Sequence, residues 1–454
     1  MKTLLKVLLG LVVLGLVAVA LIAFVPIQRT PPQQQLAADF TPADGQGAYA
    51  ARLGDCAACH TAPGGKPFAG GRAIASPFGT IWSTNITSDK ENGVGAYTLD
   101  EFRAVLYDGV RKDGAHLYPA MPYENYRKLS ESDVRALYQY FTKEAAPVAE
   151  AAKTTKLDFP FDQRWGIRLW DWAALTTPGF TPRLNDPVLD RGAYLVEGLG
   201  HCGACHSPRD KIMAQKGIDA TSADFLAGGV IDGFSAPALR GAGSAPQKWS
   251  AADLKAYLVS GRNSHSAVTG EMSLVVAESL QYASDDDLDA MVAYLRNVDG
   301  KPADDASGKA TAADPAADST VGLAGVDPKT LDATTALLAS ADPSMPLGPR
   351  LYLDNCAACH FVNGKGANEV FPELDGSSLV TAAETKGLID VILNGARLPS
   401  TASRPEALAM PGFGHRLSDE EVATLASFVR GAWSNKAGAV TAEAVAAERN
   451  ASEN

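Results

Sequence analysis

No cysteine in this chain is spare. All six fall in three pairs, each pair separated by two residues, so none is left over for a disulfide or an isolated nucleophile. Basic residues are outnumbered, 40 against 52 acidic, giving a formal net charge of −12. No basic stripe appears anywhere, which excludes nucleic acid as a partner. Aromatic residues make up only 7% of the chain, while glycine is plentiful at 42. No dinucleotide-binding glycine motif, Ser-His-Asp arrangement or second metal site stands out. Chemistry must therefore come from the cysteines.

Each cysteine pair is followed directly by histidine: Cys56-Ala57-Ala58-Cys59-His60, Cys202-Gly203-Ala204-Cys205-His206 and Cys356-Ala357-Ala358-Cys359-His360. C-x-x-C-H is the attachment signature of c-type haem. The two thiols add across the vinyl groups of one porphyrin, and the adjacent histidine becomes the proximal iron ligand. A zinc site would need four ligands at short spacing, and the motifs lie ~150 residues apart. A redox dithiol would not need histidine in the same place three times. The reading is three covalently bound haem c groups.

The chain begins with Lys2 and Lys6 before an uncharged apolar run from Val7 to Val25. At 1.5 Å per residue this run covers roughly 28 Å, enough for a transmembrane helix. The lysines favour a cytoplasmic N-terminus. A cleaved signal peptide is the rival, with Ala18-Val19-Ala20 as the cleavage site. The prolonged apolar run favours the anchor. Either way the haem domains are exported, and the expected location is the inner membrane with those domains facing the periplasm.

An internal repeat of ~150 residues runs through the chain. Each unit opens with a Gly- and Tyr-containing segment: Gly47-Ala48-Tyr49, Gly192-Ala193-Tyr194, and Gly348 through Tyr352. Phe68-Ala69-Gly70-Gly71 is echoed by Phe225-Leu226-Ala227-Gly228-Gly229, and in the third unit by Phe371-Pro372-Glu373-Leu374 alone. A helix capped by Thr98, Ser250 or Thr381 follows and ends at Gly109, Gly261 or Gly395. A closing helix starts after Ser130, Ser284 or Ser418, each directly before an i, i+3, i+4, i+7 apolar stripe. The expected fold class is all-α: three tandem class I cytochrome c-like domains behind an N-terminal transmembrane helix. The boundaries are 1–30 for the anchor or signal, 41–150 for domain 1, 151–185 for an aromatic connector and 186–300 for domain 2. A solvated linker covers 301–344, domain 3 covers 345–435, and 436–454 is a tail, read as a frayed helix.

A haem that only carries electrons has both axial positions filled. Met121, Met272 and Met410 lie in the loop between the two helices of each unit and are the expected sixth ligands opposite His60, His206 and His360. His116, His265 and His415 lie close to them and are the competing ligands, read more simply as surface groups or backbone hydrogen-bonders. His201, just before Cys202, reads as a neighbour of the haem edge. Trp82, Asn85 and Arg111 are candidate donors to the porphyrin carboxylates. Trp165, Trp170 and Trp172 read as a buried brace between domains, with a quinone or partner contact as the sharper alternative.

The chain resembles the tri-haem cytochrome c subunits of periplasm-facing membrane dehydrogenases for alcohol, gluconate, sorbitol, glucose and aldehyde. The most specific stretches are Gly70-Gly71-Arg72-Ala73-Ile74, Pro77 through Thr87, Pro119-Ala120-Met121-Pro122-Tyr123 and Arg164-Trp165. The resemblance implies a catalytic dehydrogenase partner holding flavin, pyrroloquinoline quinone or molybdopterin. Electrons would then pass across the haems to ubiquinone or a terminal oxidase. The chain itself is expected to carry no substrate chemistry. The alternatives are a cytochrome c subunit of a terminal oxidase, or a haem enzyme with an open axial site, most plausibly beside Met272.

Overall fold

The computed structural model describes residues 2–452 apart from Pro26, Ala38 and 301–330. Most of the expected solvated linker therefore lies outside the described residues. The chain divides into two compact units. The first comprises Met1–Asn185, Ala193–Ala204 and Arg209–Asp219; the second comprises Asp186–Gly192, Cys205–Pro208 and Ala220–Asn454.

In the first unit the opening helix Gln46–Leu53 crosses the closing helix Glu131–Gln139. Glycine is required at the crossing: a Cβ on Gly47 would stand 2.2 Å from the Ala136 carbonyl oxygen. The helix Leu99–Asp108 between them starts at a complete capping box, Thr98 Oγ1 accepting from Glu101 N while Thr98 N donates to the Glu101 carboxylate. Phe102, Leu106, Val134, Leu137 and Phe141 are buried. A paired charge lies among them: Arg103 donates from Nε and Nη2 to Glu131 at 2.9 and 2.7 Å, with both side chains almost fully buried.

The second unit repeats this plan. A Cβ on Gly192, at the end of the opening segment, would meet the Ala290 carbonyl oxygen at 2.0 Å on the closing helix Asp285–Asn297. Ser250 caps Ala251–Ser260 and Ser284 caps Asp285–Asn297, each accepting from the backbone N–H three residues on. Farther along, Leu347–Asn355 opens and Asp419–Gly431 closes behind the Ser418 capping box. Leu351, Tyr352, Leu388, Ile392, Val422, Leu425 and Val429 share one core.

Several expectations are corrected. The fold is not all-α, because each repeat carries a two-stranded antiparallel hairpin: Ala73–Ile74 with Ile81–Trp82, Gly229–Ile231 with Phe234–Ala236, and Gly395–Arg397 with Ala409–Pro411. These strands pair backbone that the loops between helices would otherwise leave unsatisfied.

The transmembrane helix is not supported either. Lys2–Phe24 is helical, but among the described residues no helix is long and apolar enough to cross a membrane. The end of this N-terminal helix is engaged by a charge, the Arg168 guanidinium donating to the carbonyls of Ile22 and Val25 at 2.7 and 2.5 Å.

Thr381 does not cap the third module's middle helix. It ends a separate turn, Ser378–Thr381, and gives its hydroxyl to the Ser377 carbonyl, while the helix proper runs Lys386–Asn394. The stretch before residue 345 contains the helix Ala333–Ser340, whose Leu338 joins the third core. The tail is no frayed end. Ala442–Ser452 is helical, Val445 is buried in the same core, and Arg449 donates to Asp419 and to the Leu417 carbonyl. Of the three tryptophans, Trp165 and Trp170 are half-buried, Trp170 packing edge to face on Tyr123, while Trp172 is 64% exposed; Arg168 and Asp171 are the buried members of the helix Ile167–Ala174.

Candidate haem-attachment sites

Each motif ends on a short helical turn after its opening helix, Cys56–His60, Gly203–His206 and Ala357–His360, with Cys202 and Cys356 directly before the second and third. None of the six thiols is in a disulfide. Burial pushes the Cys56 and Cys356 thiols up to about 12, so neither is a thiolate nucleophile at neutral pH.

The three histidines are held in one way. Nδ1 of His60 bonds the Thr84 carbonyl at 2.7 Å, Nδ1 of His206 bonds the Pro237 carbonyl at 2.7 Å, and Nδ1 of His360 bonds the Pro372 carbonyl at 2.9 Å. A carbonyl can only accept, so Nδ1 carries the proton and Nε2 keeps its lone pair for a metal. Burial lowers all three histidine pKa values, which keeps the rings neutral. A second device repeats beneath them. The N–H groups of Gly70, Gly228 and Gly366 donate to the carbonyls of His60, His206 and His360 at 2.7, 2.8 and 3.2 Å. Each of these glycines has a positive φ, at 73°, 93° and 61°. The third-module counterpart of the glycine loop is thus Gly366, and Phe371-Pro372 supplies the carbonyl for histidine.

Haem c fits these residues. Three thiol pairs stand beside three oriented imidazoles whose Nε2 has no hydrogen-bond partner among the described residues. The buried Arg262 also has an Nε without an acceptor, as a donor to a porphyrin carboxylate would have. Met410 lies on the strand Ala409–Pro411 and packs on the core that also takes Cys356 and Ala357. Phe413 N and Gly414 N tie the following residues to the Ile392 and Leu393 carbonyls at 2.9 Å each. Met121 is half-buried in a loop whose Leu117 N returns to the Gly109 carbonyl at 2.7 Å. Val268 N returns to Gly261 in the same way at 2.8 Å, but Met272 then lies in the first turn of the helix Glu271–Glu278, not in a loop.

The competing histidines are occupied or remote. His116 is buried, with Nδ1 2.7 Å from Asp171, whose other oxygen accepts from Tyr123 Oη at 2.9 Å. It is neither a surface group nor a backbone hydrogen-bonder. His265 stacks on Trp249 and stands 3.8 Å from both Asp253 and Glu373. His415 is exposed.

The proposed carboxylate donors are otherwise engaged. Asn85 Nδ2 serves the carbonyls of Val148 and Glu150, and Asn85 Oδ1 accepts from Thr87. Arg111 pairs with Asp113, and the Trp82 ring lies under the Lys153 ammonium. Sequence reasoning missed the Thr84, Pro237 and Pro372 carbonyls because a backbone acceptor has no residue signature. It also passed over Arg262, whose burial is a tertiary property.

Comparison with known proteins agrees with this geometry. The cytochrome c family model matches residues 189–299 and 346–433. The cytochrome c subunit of the quinone alcohol dehydrogenase of Gluconobacter oxydans (strain 621H) is 42% identical over 86% of this chain and 79% of its own length. The chain belongs to the cytochrome c subunits of dehydrogenases. The gluconate 2-dehydrogenase cytochrome c subunit of Pantoea cypripedii is also 42% identical, over 89% of both chains. The fructose dehydrogenase cytochrome subunit of Gluconobacter japonicus is 37% identical over 92% of this chain and 85% of its own. As a cytochrome c, this subunit holds covalently bound haem c and serves electron transport beside a catalytic dehydrogenase.

Proposed function

We propose that this cytochrome c subunit carries three haem c groups, one per motif, and passes electrons from its dehydrogenase partner to ubiquinone or another respiratory acceptor on the periplasmic side. The observation that carries the reading is the threefold identical setting of His60, His206 and His360. All three have Nδ1 tied to a carbonyl and Nε2 left for iron. Met121, Met272 and Met410 are the sixth ligands in this reading, closing each iron to substrate chemistry. The partner oxidises an alcohol, sugar or sugar acid with flavin, pyrroloquinoline quinone or molybdopterin. The relatives' printed names, among them a quinone alcohol dehydrogenase, support this.

A quinone acceptor has further support in the first unit. There a cavity of about 330 Å³ has Ile22, Ile27 and Trp165 as apolar wall and His116, Arg164 and Arg168 as polar groups. Mass spectrometry of the mature protein tests the count, with three covalent adducts expected. Fewer than three overturns the tri-haem reading. Inertness of the reduced native protein to carbon monoxide is expected of three closed irons. Binding would instead mark an open site and favour a haem enzyme.

A further inference from the structure

The segment leading into the second motif is seated on the first module by buried polar groups. Glu197 is fully buried and accepts from Lys128 Nζ at 3.0 Å and from Arg183. The Glu197 carbonyl accepts from Asn125 Nδ2 at 3.1 Å, and Tyr194 reaches Asp133 and Ser130 N. The turn at the end of this segment therefore has a fixed position. It brings His201, directly before Cys202, to Gly54, two residues before Cys56.

Two groups converge on the Gly54 carbonyl. Tyr126 Oη donates at 2.6 Å and the Cys56 thiol lies 3.8 Å away. The Tyr126 and His201 rings meet edge to face with centroids 5.4 Å apart. A leucine side chain, from Leu199, fills the space beside Gly54. His201 has a left-handed backbone, φ 40°, as Asp55 has at the matching place of the first module, φ 52°. The other modules do not build the ring contact: Asp55 stands at the matching place in the first, and Asn355 in the third turns back to the Leu351 carbonyl of its own helix.

We propose that His201, packed on the Tyr126 ring whose hydroxyl is bound to the Gly54 carbonyl, joins the first and second haem-attachment loops into one electron-transfer junction. This rests on the reading that both motifs carry haem. The transfer is of one electron, from ferrous iron at one motif to ferric iron at the other, and no proton or bond changes hands. Covalent and hydrogen bonds carry electronic coupling better than a gap of the same length. Here the Tyr126–Gly54 hydrogen bond and the edge-to-face contact of Tyr126 with His201 close the path between the two loops. His201 and Tyr126 are positioning residues, acting through the loops they fix.

The test uses the full chain with its haems in place. Wild type, His201→Leu, His201→Gln and Tyr126→Phe are compared by mass spectrometry, by the midpoint potentials and by the rate of internal electron redistribution after pulse reduction. His201→Leu should slow redistribution between the first and second haems several-fold without changing adduct number or the third haem's potential. His201→Gln, which loses the ring against Tyr126, should slow it as His201→Leu does, and Tyr126→Phe, which loses the hydrogen bond to Gly54 but keeps the ring packing, should slow it less. Wild-type rates in His201→Leu and Tyr126→Phe with every adduct present overturn the junction. Absence of wild-type adducts at Cys56/Cys59 or Cys202/Cys205 instead overturns the haem reading, and the junction with it.

Discussion

The first and third modules reach the same imidazole geometry with different material. In the first, the carbonyl that orients histidine lies 24 residues downstream, on a loop following the hairpin; in the third it lies 12 residues downstream. The acidic residue opening the closing helix also diverges. Glu131 accepts a buried arginine from the capped helix, whereas Asp419 accepts the half-exposed Arg449 of the C-terminal helix. The third module surrounds its helices with two extra ones, Ala333–Ser340 and Ala442–Ser452, where the first uses a paired charge. The lesson is that the requirements of haem attachment fall on a few backbone bonds. The surrounding core is free to be ionic or apolar.

The largest effect that would sharpen this contrast is at the buried charge. Glu131→Ala leaves Arg103 buried without its main partner and should cost about 3–5 kcal/mol of first-module stability, read by denaturant unfolding. Asp419→Ala should cost under about 1 kcal/mol, as for an exposed pair. Equal losses would erase the distinction.

Next come the helix crossings. Gly47→Ala drives a methyl into the Ala136 carbonyl, whereas Gly348→Ala meets first the Phe428 Cβ at 2.9 Å and a carbonyl only at 3.4 Å. Overpacking of this kind costs about 1–3 kcal/mol, and the Gly47 variant should show the larger drop in Tm. A smaller effect separates the caps: Thr98→Ala should lose about 1 kcal/mol, while Thr381→Ala, which removes no cap, should be near neutral.

The smallest is a pH effect peculiar to the second unit. The Glu373 carboxylate beside its ring raises the His265 pKa from its ordinary value, with Asp253 adding to it and burial and Lys365 opposing. A raised histidine pKa contributes stability that is complete below the unfolded value and is lost as pH rises through the folded one. His265 is 39% exposed, so solvent screening holds this to about 0.5 kcal/mol or less. Thermal unfolding at about pH 5 and about pH 8 should show it in wild type and not in His265→Gln.

Some of this was legible in the chain and some was not. Ser130, Ser284 and Ser418 cap where the sequence places them, because a cap depends on residues three apart. The glycines of the opening segments mark a real crossing, since nothing with a Cβ fits there. Thr381 misled because its hydroxyl had a nearer partner in the Ser377 carbonyl. The apolar N-terminal run misled, since among the described residues no helix is long and apolar enough to cross a membrane. Met272 read as a loop residue because a helix of eight residues with Gly270 before it leaves little periodicity to detect.

By itself the sequence determined the cofactor chemistry, since C-x-x-C-H is local and sets two thiols and the proximal histidine among neighbouring residues. It also determined the repeated motif and the caps at Thr98, Ser130, Ser250, Ser284 and Ser418. Only the tertiary structure decided which carbonyl orients each histidine, which hairpins close the loops, and that His201 meets Tyr126 over Gly54. Those are contacts between residues far apart in the chain, and no local pattern of residue types records them.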